Sequence, residues 1–425
     1  MATNKTLPNP PQMTASSFID KQRYVSRDWV QQEWQQVWKN TWQIAVHLSD
    51  LATPGDFSVC EFGPESLLLT RTENNEIKAF YNVCQHRGMR LVGERCGHAE
   101  GFRCPYHSWR YSGDGELTYA PDSEGFSNGL PAEQVTLTPV RCDIALGFVW
   151  ISLKPDIEPL AEYLGDMLPL MSHYEFENMV LLEDQTVLVN CNWKAVHDNF
   201  SELYHVPYLH PQHRRFVDCS TARNELYNGG HSRVCVPGGT TDSRFDTPTL
   251  PTDILTLQLQ GLGLDPADYE GRVEDIQTAI RQRKRELASA EPYYDNFSDT
   301  ELSDVMQSNV FPNAIFSYQP EMLWLIRPRP HATDPNICYL DKLSFERFPA
   351  APPTVRPVHD HFSYSDVIAG NKTMTDTIDQ DLSLLSKAQQ GMLSDGFEGL
   401  WLNDKECRIA HFHNQLDAMM GAPQK

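Results

Sequence analysis

Basic residues are scarce in this chain. Its 425 residues hold 35 Lys and Arg against 57 Asp and Glu, a formal net charge of −22. No run of five or more Lys or Arg interrupts that balance. An acidic chain repels phosphate backbones, which argues against nucleic acid as a partner. No apolar run approaches the ~18 residues that would cross a bilayer, so no membrane span is expected. No charged-then-apolar leader opens the sequence. The expectation is a cytoplasmic protein with reduced thiols. No G-x-G-x-x-G follows a strand-like segment, so a dinucleotide site of that kind is absent too. Internal repeats and low-complexity tracts are missing.

Cysteine is present, with ten residues scattered along the chain. Four ligand-type residues fall into two short motifs. Cys84 and His86 form C-x-H, and after seventeen residues Cys104 and His107 form C-x-x-H. Two thiolates and two imidazoles from two loops can hold one metal centre. A Rieske [2Fe–2S] cluster takes two Cys on one iron and two His on the other, which raises its potential and suits it to relay electrons. Tetrahedral zinc uses the same residue types. Zinc sites more often pair like ligands within a loop, whereas each loop here carries one of each. Gly88 and Pro105 allow the tight turns that bring both loops over one centre. Cys96, inside the same stretch, is a candidate spare ligand. The remaining cysteines read as buried structural residues.

The surrounding pattern gives an organisation. Residues 1–15 are polar and Pro-rich and are expected to be disordered. Val30, Trp34, Val37, Trp38 and Trp42 recur at helical spacing, predicting an amphipathic helix from an N-cap at Ser26 to about Trp42. Short β-rich segments separated by turn residues then fill 44–155 and predict a small antiparallel β domain with the metal loops at strand ends. The boundaries are 1–43, a helical part of the catalytic domain; 44–155, the cluster domain; and 156–425, the catalytic domain. Within the last, 193–205 is helical in pattern. The charged stretch 266–290 reads as an exposed helix or a lid, and 308–348 returns to strands.

A second constellation lies at Glu202, His205 and His210, in S-E-L-Y-H-V-P-Y-L-H. Positions i and i+5 of a regular α-helix point about 140° apart, so two such imidazoles cannot face one ion. Pro207 argues against regularity, and a local π widening would bring both to one side. A carboxylate would complete the facial triad of a non-haem Fe(II) site. Asp376, Asp379 and Asp381 are the candidates, and spacing does not choose among them. Asn199 lies just upstream and is a candidate pocket residue. His197, His213, His411 and His413 are taken as structural.

With both motifs in view, the chain resembles the large (α) subunit of Rieske non-haem iron aromatic-ring-hydroxylating oxygenases over nearly its whole length. The resemblance matches Cys84, His86, Cys104 and His107 to the cluster ligands, and His205 and His210 to the iron histidines. The stretch Q-D-L-S-L-L-S-K-A-Q-Q-G then places the carboxylate ligand at Asp381. Glu202 matches the bridging carboxylate; many family members have Asp there, and Glu resembles the carnitine and choline-type branch. Ser108 stands where Gly is more usual.

The resemblance implies an α+β fold: a Rieske antiparallel β domain plus a helix-grip catalytic domain with a large antiparallel sheet. It further implies a [2Fe–2S] cluster, a mononuclear Fe(II), and NAD(P)H-derived electrons from a separate reductase or ferredoxin. A homotrimer (α3) or an α3β3 assembly is expected, with His107 of one subunit meeting Glu202 of the next. The implied reaction inserts oxygen from dioxygen into an organic substrate. The expected substrate is aromatic, as in aromatic hydrocarbon catabolism, with a steroid or a quaternary amine as alternatives. Readings of another class are a zinc-binding interaction module and a Rieske electron carrier without catalysis.

Overall fold

The computed structural model describes residues 18–131, 134–348, 353 and 356–421. The disorder expected for residues 1–15 lies outside them. The first long helix, α1, covers Arg27–Gln36, and the Ser26 hydroxyl accepts from the Trp29 amide at 3.3 Å. It stops short of Trp42: Trp38–Asn40 form a 3₁₀ turn instead, and the Trp42 indole donates to the Glu158 carbonyl at 2.9 Å. Both indoles are buried, so Trp38 and Trp42 are core residues, while Trp34 is only half-buried.

The chain divides into two compact units. One comprises 34–168 and 175–178. Its larger sheet takes β1 (Gln43–His47), β2 (Asp56–Phe62), β3 (Glu65–Arg71), β4 (Ile77–Tyr81), β5 (Cys96–His98), β9 (Pro139–Ala145) and β10 (Phe148–Ser152). They order as β1-β10-β9-β4-β3-β2-β5. Between them, β6 (Gly101–Arg103), β7 (Arg110–Ser112) and β8 (Leu117–Tyr119) form a three-stranded sheet. Strands β2 and β3 pair from Phe57–Thr70 to Phe62–Glu65 and carry a buried run that includes Val59, Leu67, Leu68 and Leu69. Residues 84–90 leave the end of β4, and 104–109 connect β6 to β7. Cys84, Cys104, Trp109 and Tyr111 belong to the same buried cluster as Phe57, Leu68 and Phe80. The loops are thus rooted in the core. Cys96, by contrast, is exposed on edge strand β5.

The other unit comprises 18–33 of the described N-terminal residues, 169–174 and 179 onward. Its sheet contains β11 (Val180–Val189), β12 (Arg223–Leu226), β13 (Ser232–Val236), β14 (Val305–Val310), β15 (Ala314–Gln319), β16 (Met322–Pro330), β17 (Cys338–Glu346) and β18 (Asp360–Ser363). The order is β12-β13-β14-β15-β16-β17-β11-β18, antiparallel except for the edge pair β11–β18. Phe311, Phe316, Tyr318 and Phe362 are buried here as core.

The unit's helices include α2 (Trp193–Phe200), α3 (Val206–Leu209), α4 (Asp253–Gly261), α5 (Ile276–Leu287), α6 (Asp376–Met392) and α7 (Cys407–Met420). The charged 266–290 stretch is not a fully exposed helix. Ile276 and Ile280 of α5 are buried in one cluster with Leu255 and Leu259 of α4, and Gln277 donates to the Gly238 carbonyl at 2.8 Å.

Candidate metal centres

The two cluster loops share one backbone plan. The Cys84 amide donates to the Met89 carbonyl at 2.8 Å and the Gly88 amide to the Cys84 carbonyl at 3.0 Å. In the second loop the Cys104 amide donates to the Trp109 carbonyl at 2.8 Å and the Ser108 amide to the Cys104 carbonyl at 3.0 Å. The fifth residue of each loop needs a left-handed backbone: φ is 71° at Gly88 and 62° at Ser108.

This plan brings the four ligand-type side chains together. The His86 and His107 rings lie 4.5 Å apart, and both cysteines are 1% exposed. Trp109 stacks on His86 at 4.8 Å, and Tyr106 covers His107 at 3.8 Å. The Tyr111 hydroxyl is 3.5 Å from the Cys84 sulfur and accepts from the Gln85 amide at 3.1 Å. Burial, with Cys104 opposite, pushes the Cys84 thiol up. A metal would reverse this by binding the thiolates. His86 Nδ1 is buried and makes no hydrogen bond. An orphaned imidazole nitrogen beside two buried thiols fits a ligand set. The donors alone fit zinc as well as iron.

The second site is assembled from three segments of the other unit. Asn192 caps α2 by accepting from the Lys194 amide at 3.0 Å. Helix α2 ends at Phe200, before the turn that carries Glu202. The predicted π widening is not there. His205 precedes the single α-helical turn of α3, with Pro207 near its start, and the backbone leaves helical geometry at His210 (φ −116°, ψ 69°). A short helix broken at both ends lets the two imidazoles converge. From α6, Asp381 lies on the buried stripe with Ile378, Leu382 and Leu385. One ligand atom each from His205, His210 and Asp381 fall within 4.8 Å of one another. Asp379 instead accepts from the Thr373 hydroxyl at 2.6 Å.

Each imidazole presents Nε2 inward and is held from behind. His210 Nε2 is 3.0 Å and His205 Nε2 3.5 Å from the same Asp381 oxygen. Glu202 accepts from His205 Nδ1 and, at 3.1 Å, from the His205 amide. The Gln380 Oε1 accepts from His210 Nδ1 at 2.7 Å and from Gln212 at 2.9 Å. Such partners fix ring orientation and tautomer. Burial pushes the His205 imidazole down, but Asp381 and Glu202 win and raise it to about 9. Two carboxylates around one imidazole make a pocket that seeks a cation. Asn199 Nδ2, at the end of α2, is buried without a partner.

Two family models match the chain. Residues 176–422 match the ring-hydroxylating alpha subunit catalytic domain, and residues 41–135 match the Rieske [2Fe-2S] domain. The chain belongs to the ring-hydroxylating alpha-subunit family. This ring-hydroxylating alpha subunit is 30% identical over 251 residues to the methanesulfonate monooxygenase hydroxylase subunit alpha of Methylosulfonomonas methylovora, covering 56% of this chain and 59% of the relative. It is 32% identical over 194 residues to the carnitine monooxygenase oxygenase subunit of Escherichia coli K12, covering 44% and 50%. With the large oxygenase component of the naphthalene 1,2-dioxygenase system of Pseudomonas putida it shares 32% over 187 residues, covering 42% and 41%. The chain thus spans about half the length of the relatives it matches.

Its fold resembles a quaternary ammonium Rieske monooxygenase in complex with L-carnitine, at TM-score 0.70 and 17% identity over 95% of this chain and 96% of that one. Naphthalene 1,2-dioxygenase with indole bound gives TM-score 0.69 at 18% identity, over 97% and 94%. The Rieske match resolves the choice between zinc and cluster in favour of the cluster. It also sets aside a bare electron carrier, because a catalytic domain follows.

Sequence reading missed the residues behind the ligands. Thr377 accepts from or donates to His213 at 2.7 Å, and with Gln380 and Asp381 it forms one face of α6 at i, i+3 and i+4. That spacing was a usable signal. Tyr111 and Trp109 carried none before the loops were placed.

Proposed function

We propose that this alpha subunit is the terminal oxygenase component of a multi-protein system. It takes electrons from a separate reductase or ferredoxin and oxidises an organic substrate with dioxygen. The observation that carries the reading is a pair of metal-competent donor sets in one chain, one in each unit. When bound, the [2Fe–2S] cluster supplies single electrons and the mononuclear iron supplies the dioxygen chemistry.

The chain's own residues do the rest. Cys84, Cys104, His86 and His107 hold the cluster, with Tyr111 donating to the Cys84 sulfur and Trp109 shielding His86. His205, His210 and Asp381 hold the iron. Glu202 keeps the Nδ1 proton of His205, so that Nε2 offers its lone pair inward. In this proposal it is also the relay carboxylate facing the cluster domain of a second subunit, in a homotrimer or an α3β3 assembly. Asn199 lines the substrate side with its unpaired amide.

An aromatic substrate is the first reading, as named for the naphthalene relative. A small quaternary amine is the second, favoured by the carnitine relative and by Glu202 at the relay position. The cytoplasm is the proposed location, supported by ten cysteines that are all free. Among the described residues no helix is long and apolar enough to cross a membrane.

The test is metal analysis followed by oxygen uptake. Purified protein should contain iron and acid-labile sulfide. With a generic ferredoxin and its reductase, it should consume oxygen on either naphthalene or a betaine such as L-carnitine. Colourless protein holding zinc and no sulfide would end the reading.

A further inference from the structure

Arg408 is the second residue of α7 and is 1% exposed. A guanidinium cannot shed its charge, and burying one without a counter-ion is costly. Among the described residues no carboxylate pairs with it. Its donors go to three neutral acceptors. Nε reaches the Ser232 hydroxyl at 3.2 Å, Nη1 the Gln307 amide oxygen at 2.9 Å, and Nη2 the Asn309 amide oxygen at 2.7 Å. These acceptors share one face of the sheet. Ser232 and Asn309 are cross-strand partners on β13 and β14, and Gln307 is two residues along β14.

The cradle continues towards the iron ligands. Asn309 Nδ2 donates to the Ser201 hydroxyl at 2.7 Å, and that hydroxyl donates to the His197 carbonyl at 2.6 Å. Ser201 is the C-cap that follows the last residue of α2, and Glu202 comes next. Burial pulls the Arg408 guanidinium down to about 10, and the Glu202 carboxylate is among the groups that oppose this. The Glu202 side chain is itself only 9% exposed, and among the described residues the His205 imidazole is the one cationic group paired with it.

We propose that Arg408 is a positioning residue for Glu202: clamped on Ser232, Gln307 and Asn309, it fixes through Asn309 and Ser201 where the end of α2 delivers Glu202 to His205. The inference rests on the relay role proposed above for Glu202. An arginine serves here because a planar fork can hold three acceptors in fixed directions, which a lysine ammonium cannot do.

The test compares holoenzymes carrying Arg408→Lys, Asn309→Ala and Glu202→Gln, and the two double variants that include Glu202→Gln. Asn309→Ala cuts the connection while leaving Arg408 two acceptors, so it stands in if Arg408→Lys fails to fold. Two quantities are read: the EPR signal that nitric oxide gives at the mononuclear iron, and the rate at which a pre-reduced cluster re-oxidises on mixing with dioxygen. Arg408→Lys and Asn309→Ala should each change the rhombic splitting of the signal and slow re-oxidation about tenfold, the low end for loss of a ligand's supporting partner. Neither should slow it further once residue 202 is glutamine. Equal slowing in both backgrounds would mark a merely structural tie and overturn the inference. So would an unchanged signal and rate in Asn309→Ala alongside a slow Glu202→Gln. Normal re-oxidation in Glu202→Gln would defeat the relay reading itself, and this inference with it.

Discussion

Gly88 and Ser108 occupy equivalent places in the two cluster loops, both with left-handed backbone and both donating to the carbonyl of the loop's cysteine. Only one of them is a residue for which that conformation is free of strain. Ser108 is partly compensated by a bond from Arg103 to its hydroxyl at 2.9 Å, but Arg103 is exposed. Ser108→Gly should therefore stabilise the cluster unit by about 0.5–1 kcal/mol, which is what removing an unfavourable φ is worth after the entropy of glycine is subtracted. The readout is the thermal loss of cluster absorbance, which should move to higher temperature without a change in spectrum.

Glu202 and His205 should be separable from iron binding. Glu202→Gln keeps a hydrogen-bond acceptor for the His205 Nδ1 proton and removes the charge. Both metals should remain bound at normal stoichiometry while re-oxidation of the reduced cluster slows by at least tenfold. Unimpaired turnover in this variant would remove Glu202 from the relay.

Loss of mononuclear iron should follow the order of contact. His205→Ala removes a ligand and should leave iron only at the cluster, with its visible absorbance intact. Gln380→Leu removes the acceptor behind His210 and should weaken iron binding by about 10–100-fold without abolishing it. Chelator competition with iron assay by atomic absorption separates the two. If cluster absorbance disappears with His205→Ala, the division into two sites is wrong.

Acid stability should depend on Glu301. Burial pushes its carboxyl up, but hydrogen bonds from His173 and Ser298 outweigh this and bring it down to about 2. The folded state therefore binds fewer protons there than the unfolded chain. The stabilisation is fully present above the ordinary glutamate range and is lost as pH falls from about 4.5 towards 2. It amounts to about 2–3 kcal/mol. Glu301→Gln should lower the melting temperature at pH 6, and the gap from the parent protein should shrink by more than half by about pH 3 and close only towards about pH 2. A gap that does not vary with pH would show that the ion pair with His173 contributes little.

The cluster motif was legible in the sequence because its ligands sit in two local hairpin loops, where spacing almost fixes geometry. Cys84, His86, Cys104 and His107 needed no knowledge of the sheet that carries them. The histidine pair at 205 and 210 was legible as an irregularity, since no regular helix places i and i+5 together. The sequence suggested a widened helix; the chain uses one tight turn with a break at His210, which side-chain spacing alone does not distinguish.

Asp381 shows where local reading stopped. Three aspartates share α6, and only helix phase against Ile378, Leu382 and Leu385 turns one of them inward. That phase was readable, but its meeting with His210, 171 residues away, was not. Glu202 on His205 is an i, i+3 contact within one segment and was legible in the sequence, whereas Gln380 on His210 and the Arg408 cradle belong to tertiary structure, because each joins segments that only the packing of α6, α7 and the large sheet brings together. Composition and short motifs determined which chemistry this chain can host. The three-dimensional arrangement decided which carboxylate meets the two histidines and what holds each imidazole in place, because a buried charge is tolerable only where the fold supplies its partners.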